Sequence, residues 1–211
     1  MRLKDEIKKE RYMKLIEEIN YYRKDWVHNS YSKIIDDYKD YEKISRKQML
    51  NEVINEYKDP NAIVSICSYN ELMLIKELLK GKLTFDKVRK DYEYEFDNLR
   101  NKFIAMVDHH SDKVIVIDEV KEYVKDVLER LNKEEKLKKD ELNDILIGLI
   151  KINGILNIDN FYDLITHYID ISKQDFINHI NTDKYFKFYT YKINHEIICY
   201  EPFYDIEDEL I

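Results

Sequence analysis

The chain contains very few of the residues that make tight turns. Among its 211 residues only three are glycine and two are proline. Sandwiches and barrels need many turns rich in these residues, so their scarcity favours helices. Hydrophobic residues make up 44% of the chain, which is enough to bury a core in one large domain or two small ones. We therefore predict a mainly α fold with a minor β component.

Residues 1–60 are predicted to form a helical N-terminal segment. Apolar residues recur at spacings of three and four between Leu3 and Trp26, which is one helical stripe, and the pattern continues weakly over 31–41. Ser45 begins a clearer helix, with Gln48 at the capping-box position, and Asp59-Pro60 is expected to end it. The first helices would offer a surface for a homodimer.

Residues 61–135 are predicted to form a first winged-helix-like unit with a linking helix. The apolar run 61–67 fits either a strand or a packed linker. Ser68 begins a helix that Gly81 can end at positive φ, Thr84 can cap a second helix, and a third is expected near 92–102. Two β-prone runs flank the polar tip 108–113, which predicts a hairpin, and a linking helix follows over 119–133. Three helices followed by a hairpin are the order of a winged helix.

The same order returns in residues 136–211, after the charged run 132–140 that we take as the domain boundary. A first helix stops at Asn153-Gly154, Asp159 can cap a second, and Ser172 can cap a third. The runs KYFKFYTYKI and EIICYE flank Asn194-His195 as a second hairpin. The recurrence of five elements in order predicts two winged-helix-like units in tandem. The last residues, YDIEDELI, are acidic and fit either the start of a helix that is cut off, as in a fragment of a longer protein, or a short docking helix.

The stretches ELMLIKELLKGK, LRNKFIAMVDHHSDKVIVIDEVKEYV and GLIKINGILNIDNFYDLI carry a resemblance. Over residues 68–170 the chain resembles a group of uncharacterised winged-helix-like proteins of low-GC Gram-positive bacteria and their mobile elements. Some members have a Rho-N-like helical N-terminus or a SEC-C zinc motif. This chain lacks the SEC-C cysteine cluster, so the resemblance implies no zinc, and it assigns no function to the chain.

No catalytic or metal-binding motif appears in the sequence. With three glycines, a loop that cradles phosphate is not expected. His109-His110, beside Asp108 and Asp112, is the densest set of metal-ligand types, but neighbouring residues on a strand point to opposite faces. His195 and Cys199 would lie about 13 Å apart along a strand, too far to share a metal. We expect no enzyme activity, no metal and no cofactor.

The chain also carries no sign of export or of membrane insertion. Its first residues lack the apolar core of a signal peptide, and no apolar run approaches the roughly 18 residues of a membrane span. Two cysteines are too few for a disulfide framework. We expect a cytoplasmic protein that has no contact with membranes.

The charges of the two predicted third helices decide between protein and DNA as partner. The third helix of a winged helix normally enters the major groove. In the first unit this helix carries four carboxylates against Arg100 and Lys102, which opposes phosphate binding. We therefore expect a protein-interaction surface there, formed by Tyr92, Glu93, Glu95 and Asp97. In the second unit the helix is neutral, and residues able to contact nucleic acid are Lys173, Gln174, Asn178, Asn181, Lys184, Lys187 and Lys192.

These observations predict a non-enzymatic protein-interaction or regulatory protein with an unknown protein partner. The net charge of −8 gives no overall attraction to nucleic acid. The alternative is a sequence-specific DNA-binding transcriptional regulator that uses the second unit, and a hydrolase or nuclease is a third possibility. The bias toward Lys, Ile, Asn, Asp and Tyr is typical of AT-rich coding and indicates a phage or other mobile element of a low-GC bacterium.

Overall fold

The computed structural model describes residues 23–35, 42–108 and 111–199, and these are mainly helical with short antiparallel strands. The predicted fold class, mainly α with two hairpins, is confirmed. The chain divides between Leu131 and Asn132 into two compact units, called unit 1 and unit 2 below. No described helix is long and apolar enough to cross a membrane.

Unit 1 contains seven described helices and one hairpin. In chain order they are α1 Lys24–Ile35, α2 Arg46–Glu56, α3 Pro60–Ile66, α4 Tyr69–Leu78, α5 Phe85–Asp91, α6 Glu93–Asn101, β1 Ala105–Asp108, β2 Lys113–Val116 and α7 Asp118–Arg130. The helices of the predicted N-terminal segment belong to this unit, because α1 packs on α2 and Trp26 meets the ring of Phe103 edge-on at 5.6 Å.

Helix starts in unit 1 follow the predicted caps closely. Ser68 and Glu71 form the complete capping box at the start of α4, where the Ser68 N–H donates to Glu71 Oε2 at 2.8 Å. At the start of α2 only half of the predicted box forms, since Ser45 accepts the Gln48 N–H while the Gln48 side chain donates to Glu52. Gly81 has the expected positive φ, 68°.

The apolar run after Asp59 is a helix, which corrects the two predicted alternatives of a strand or a packed linker. Helix α2 already ends at Glu56, before Asp59. The Asp59 side chain instead accepts the Asn61 N–H at 2.9 Å and caps α3. Pro60 then occupies the first turn, where its missing N–H costs no hydrogen bond. The sequence Asp-Pro therefore begins a helix here instead of only ending the preceding one.

Unit 2 contains four described helices and a three-stranded sheet. Its elements are α8 Lys133–Asn153, β3 Ile155–Asn157, α9 Ile158–Ile165, α10 Lys173–Thr182, α11 Lys184–Tyr189, β4 Thr190–Ile193 and β5 Glu196–Cys199. The charged run 132–140 forms the first turns of α8, which Asn132 caps. The sheet order is β3-β5-β4, with both pairs antiparallel.

Two local predictions in unit 2 are wrong. The run KYFKFY is not a strand but helix α11, because Asp183 caps it by accepting the Phe186 N–H at 2.8 Å. Asp159 is not the cap of the second helix either, since Asn157 accepts the Asp159 N–H at 3.0 Å. The predicted cap Ser172 and the predicted turn Asn194-His195 are confirmed.

The same kind of strand pairing occurs separately within each unit. In unit 1, Thr84 lies just before α5 and pairs with Lys113 of β2. In unit 2, β3 lies just before α9 and pairs with β5. In each unit, an extended segment precedes the second helix of the predicted winged-helix order. This segment pairs with the second strand of the hairpin and so links the hairpin to the helices.

Some sequence predictions fall on residues outside the described parts of the chain. These are the helical stripe over 1–22, the weak continuation over 36–41, His109-His110 and the acidic residues 200–211.

Candidate binding surfaces

The first predicted surface lies on α6 and is organised by an arginine of α5. Arg89 reaches across from α5 and contacts Glu93 Oε1 at 3.0 Å and Asp97 Oδ2 at 3.3 Å. Arg100 approaches Asp97 from the next turn at 3.9 Å. Glu93 and Asp97, two of the predicted interaction residues, thus have their charges balanced within unit 1, and the ion pairs hold their carboxylates in place. The sequence pattern missed Arg89 because its contact with Asp97 spans two helices.

Tyr94 stands out on this α6 surface, which we define as residues 92–97. Its side chain is 54% exposed, the largest exposed aromatic group described in unit 1. The predicted residues Tyr92 and Glu95 flank it and are half-buried. Phe96 and Leu99 on the other side of the helix are buried in the core. The structure therefore brings the four predicted residues onto one helix end and adds Tyr94 at its centre.

Lys102, counted with the bases of this helix in the sequence, does not face solvent. Its ammonium group is fully buried and lies 2.8 Å and 2.7 Å from the two carboxylate oxygens of Glu71. Tyr57 donates its hydroxyl to the Lys102 carbonyl oxygen at 2.7 Å. Burial, followed by the nearby Cys67 and Glu71, raises the pKa of Tyr57 well above its ordinary value, so the phenol stays a donor. This cluster is buried inside unit 1 and is therefore closed to ligands.

The second predicted surface lies on α10 of unit 2 and is lined by amides. Gln174, Asn178 and Asn181 are all exposed, at spacings of four and three that place them on one helix face. Phe176 and Ile180 are buried on the other side. We call the three amides and Lys192 the α10 surface.

The charged groups around the α10 surface are distributed unevenly. Lys192 of β4 donates to Asn181 Oδ1 at 2.9 Å and joins the hairpin to this face. Lys173, at the other end of α10, is tied to Asp159 at 2.8 Å. This hydrogen bond raises the pKa of Lys173 and lowers that of Asp159. Lys184 and Lys187 lie on α11 and are half-buried.

The carboxylate of Asp175, in the first turn of α10, is held by the cap of its own helix. The Ser172 hydroxyl donates to Asp175 Oδ2 at 2.6 Å and accepts the Asp175 N–H at 3.1 Å. These two hydrogen bonds fix the carboxylate at the start of the helix, where negative charge is favourable. Asp175 is therefore accounted for by the cap and is not counted with the α10 surface.

A polar network fixes α10 against α8, and the sequence patterns did not indicate it. Asn143 is fully buried on α8; its Nδ2 donates to Asp183 Oδ1 at 3.3 Å, and its Oδ1 lies 2.8 Å from His179 Nε2. Because Asn143 Oδ1 is an acceptor, His179 Nε2 must carry the proton. Lys139 pairs with Asp183 at 2.9 Å. Burial lowers the pKa of His179 and favours the neutral ring. A polar residue amid the apolar positions of α8 was the available signal.

Among the described residues no group of three or more His, Cys, Asp and Glu side chains is placed to hold a metal ion. Comparison with protein-family models, with curated proteins and with solved structures finds no match for this chain. The α6 surface and the α10 surface are therefore the basis for assigning a function.

Proposed function

We propose that the protein is a non-enzymatic regulatory protein of two winged-helix units, and that the α6 surface binds a protein partner. The observation that carries the proposal is the 54% exposure of Tyr94 within a frame of carboxylates that Arg89 holds in place. Tyrosine is among the residues that dominate the binding energy of protein interfaces. Side chains that are already ordered lose less entropy when a partner binds.

The winged-helix assignment is supported by the strand connection that the units share. Each unit has a helix, an extended segment, further helices and a hairpin, and the segment pairs with the second hairpin strand. Unit 2 adds the short helix α11 before its hairpin. The resemblance to proteins of low-GC bacteria and their mobile elements fits this assignment and stays a prediction.

The charges at α6 favour a protein over nucleic acid as its partner. Glu93, Glu95 and Asp97 would all approach phosphates if this helix entered a groove, and like charges weaken such binding. Residues 85–101 carry five acidic and four basic side chains, so the surroundings give no net attraction to a polyanion. A partner that presents basic and apolar groups would fit Tyr94 and its neighbours.

The test compares two exposed tyrosines of the same chain. The immobilised protein, its Tyr94→Ser variant and its Tyr168→Ser variant are used to capture partners from a lysate of a low-GC bacterium. Tyr168 is the matched control because it is 64% exposed in unit 2. We expect a stoichiometric protein with the wild type and with Tyr168→Ser, and its loss with Tyr94→Ser. Capture that is absent, or that ignores Tyr94, contradicts the proposal.

A second candidate function, DNA binding by unit 2, is favoured by one specific observation. The exposed amides of Gln174, Asn178 and Asn181 share a face of the third helix, and Asn and Gln can form paired hydrogen bonds with adenine. Lys192 adds one cation beside them. In this arrangement the amides would read bases while the lysine contacts a phosphate.

A binding titration with AT-rich and random duplexes, at about 50 mM and about 200 mM salt, tests this candidate. Replacing Asn178 with Ala should reduce the preference for AT-rich DNA by about 1–3 kcal/mol. Replacing Lys192 with Gln should weaken binding to both duplexes and reduce the salt dependence. Asn160→Ala, an exposed position on α9, is the control. Absence of binding at the lower salt concentration excludes the candidate.

A further inference from the structure

Four side chains of α6 form a face that combines an aromatic group with charges of both signs. Tyr94 and Asn101 are seven positions apart, so they lie two turns apart on the same side of the helix. Asp97 and Arg100 lie between them along the helix axis and toward one flank. All four residues are exposed or half-buried, so a second molecule can reach them. We call these four residues the mixed-charge face.

The two charged groups of this face are only loosely held inside unit 1. The guanidinium of Arg100 lies 3.9 Å from Asp97, and its Nε makes no hydrogen bond with the described part of the chain. Asp97 in turn lies 3.3 Å from Arg89. The side chains of Arg100 and Asp97 are 40% and 38% exposed, and long contacts between exposed charges contribute little to stability. Either group can therefore bind a further partner.

The order of the charges along α6 suits a second copy of the same helix that runs in the opposite direction. A two-fold axis perpendicular to the helix and close to Asn98 brings the same flank of both helices together. Asp97 of each chain then lies beside Arg100 of the other, so the ion pair forms twice. Parallel helices would instead place Asp97 against Asp97 and Arg100 against Arg100. The charges therefore favour the antiparallel arrangement.

The same two-fold axis also matches the aromatic groups of the two copies. Tyr94 of one chain faces Asn101 of the other, and Asn101 Oδ1 accepts the indole N–H of Trp26 at 3.2 Å within its own chain. The ring of Tyr94, which is 54% exposed, would thus lie beside Trp26 of the second copy. Tyrosine and tryptophan supply much of the binding energy at protein interfaces. The face is therefore self-complementary in charge and in aromatic contact, as an interface with two-fold symmetry requires.

We propose that the protein forms a dimer in which α6 packs antiparallel against α6 of a second copy. This inference rests on the proposed protein binding at α6 and names a second copy of the chain as one occupant of that surface. An external partner must then displace the second copy, so self-association regulates access to α6. Because α6 has nine residues and is about 14 Å long, the interface is small, and we expect a weak dimer that dissociates on dilution.

Sedimentation velocity of the full chain over a concentration series is the first test. We expect a dimer at high protein concentration in low salt, and weaker association at about 500 mM salt, where the ion pairs are screened. Asp97→Asn removes both ion pairs of the dimer. At about 1.4- to 5-fold for each pair, it should raise the dissociation constant by about 2- to 25-fold. A wild-type protein that stays monomeric at every concentration overturns the proposal.

An exchange of charges between two variants tests which residues pair. Asp97→Arg alone and Arg100→Asp alone place like charges opposite each other, so each variant should stay monomeric where the wild type dimerises. An equal mixture of the two should form a mixed dimer, because the arginine introduced at position 97 then faces the aspartate introduced at position 100. A mixture that does not associate overturns the proposal.

Lys80→Asp is the matched control for this exchange. It changes the net charge by the same amount as Arg100→Asp, at an exposed position of unit 1 outside the mixed-charge face. Lys80→Asp should dimerise like the wild type, and it should bind fluorescently labelled Asp97→Arg much more weakly than Arg100→Asp does. Equal binding of the labelled chain by both variants shows a general charge effect and overturns the proposal.

Two further results separate this inference from the proposed function. A protein that dimerises through α6 but captures nothing from the lysate supports the dimer and contradicts the external partner. A protein that captures a partner through Tyr94 but never dimerises supports the proposed function and overturns this inference. Circular dichroism checks that each variant folds, and the concentration and salt series on the wild type decide the question if a variant does not.

Discussion

Replacing Glu71 by Gln should destabilise unit 1 strongly, because it leaves the buried Lys102 ammonium without its counter-charge. The exposed fractions of the two side chains are 1% and 0%, so water cannot replace the lost partner. The amide oxygen of the new glutamine can still accept the Ser68 N–H, so the capping box survives and the change isolates the charge. Removing one member of a buried pair costs about 3–5 kcal/mol.

The assay is urea unfolding followed by the fluorescence of Trp26, the only tryptophan in the chain. Its indole donates to Asn101 Oδ1 at 3.2 Å and lies beside Phe103, so it reports on unit 1 near the altered pair. For a slope of ~2 kcal/mol per molar urea, the midpoint should fall by about 1.5–2.5 M. Glu77→Gln is the control: it breaks the exposed pair with Lys80 and should cost about 1 kcal/mol or less.

A double-mutant cycle separates the charge effect from packing. Lys102→Met alone should cost about as much as Glu71→Gln, since it leaves a buried carboxylate unpaired. The double variant should lose only about 1–3 kcal/mol, the cost of one buried amide that keeps part of its hydrogen bonding. The reasoning is refuted if either single variant costs under about 1 kcal/mol, or if the double variant costs the sum of both.

Three further predictions concern unit 2. The ordinary pKa of His is about 6.5 and burial lowers the pKa of His179, so below pH ~6.5 the unfolded chain binds more protons and the free energy of unfolding falls as the pH is lowered. His179→Gln should make this fall smaller, as measured by the protection of α10 amides against hydrogen exchange. Asn143→Ala should cost about 1–3 kcal/mol by urea unfolding followed by circular dichroism, since His179 and Asp183 lose a buried partner. Gly154→Ala should destabilise the protein by about 1 kcal/mol because φ is +76°, a conformation that alanine disfavours. Gly148→Ala should stabilise it by ~0.5–1 kcal/mol, because this position lies inside α8 with open space around it. Thermal melts in which both substitutions shift the melting temperature in the same direction contradict this prediction.

Local patterns in the sequence were sufficient for features that depend on a few neighbouring residues. The pairing of Ser68 with Glu71 is visible because a capping box spans only four residues. The further bond from Glu71 to Lys102 joins residues 31 positions apart, and no local pattern indicates it. The same holds for Arg89, whose contact with Asp97 depends on how α5 and α6 pack.

The error at residues 184–189 has a different cause. Aromatic residues favour strands, but here Tyr185, Phe186, Phe188 and Tyr189 are buried together. The spacing of one, three and four positions is that of a helix, whereas a strand would alternate. The cap at Asp183 settles the choice. Strand β3, with three residues, is too short to give a periodic signal.

The pairing of β3 with β5 has a consequence for synthesis of the chain. Ile155 pairs with Ile198, so β3 leaves the ribosome well before its partner strand exists. At roughly 5–20 residues per second, this strand waits about 2 to 9 seconds with its edge unpaired. The helices α8 and α9 on either side of it can form during that interval, since their hydrogen bonds are local. Until β5 completes the sheet, the unpaired edge of β3 can therefore associate with other unfinished chains.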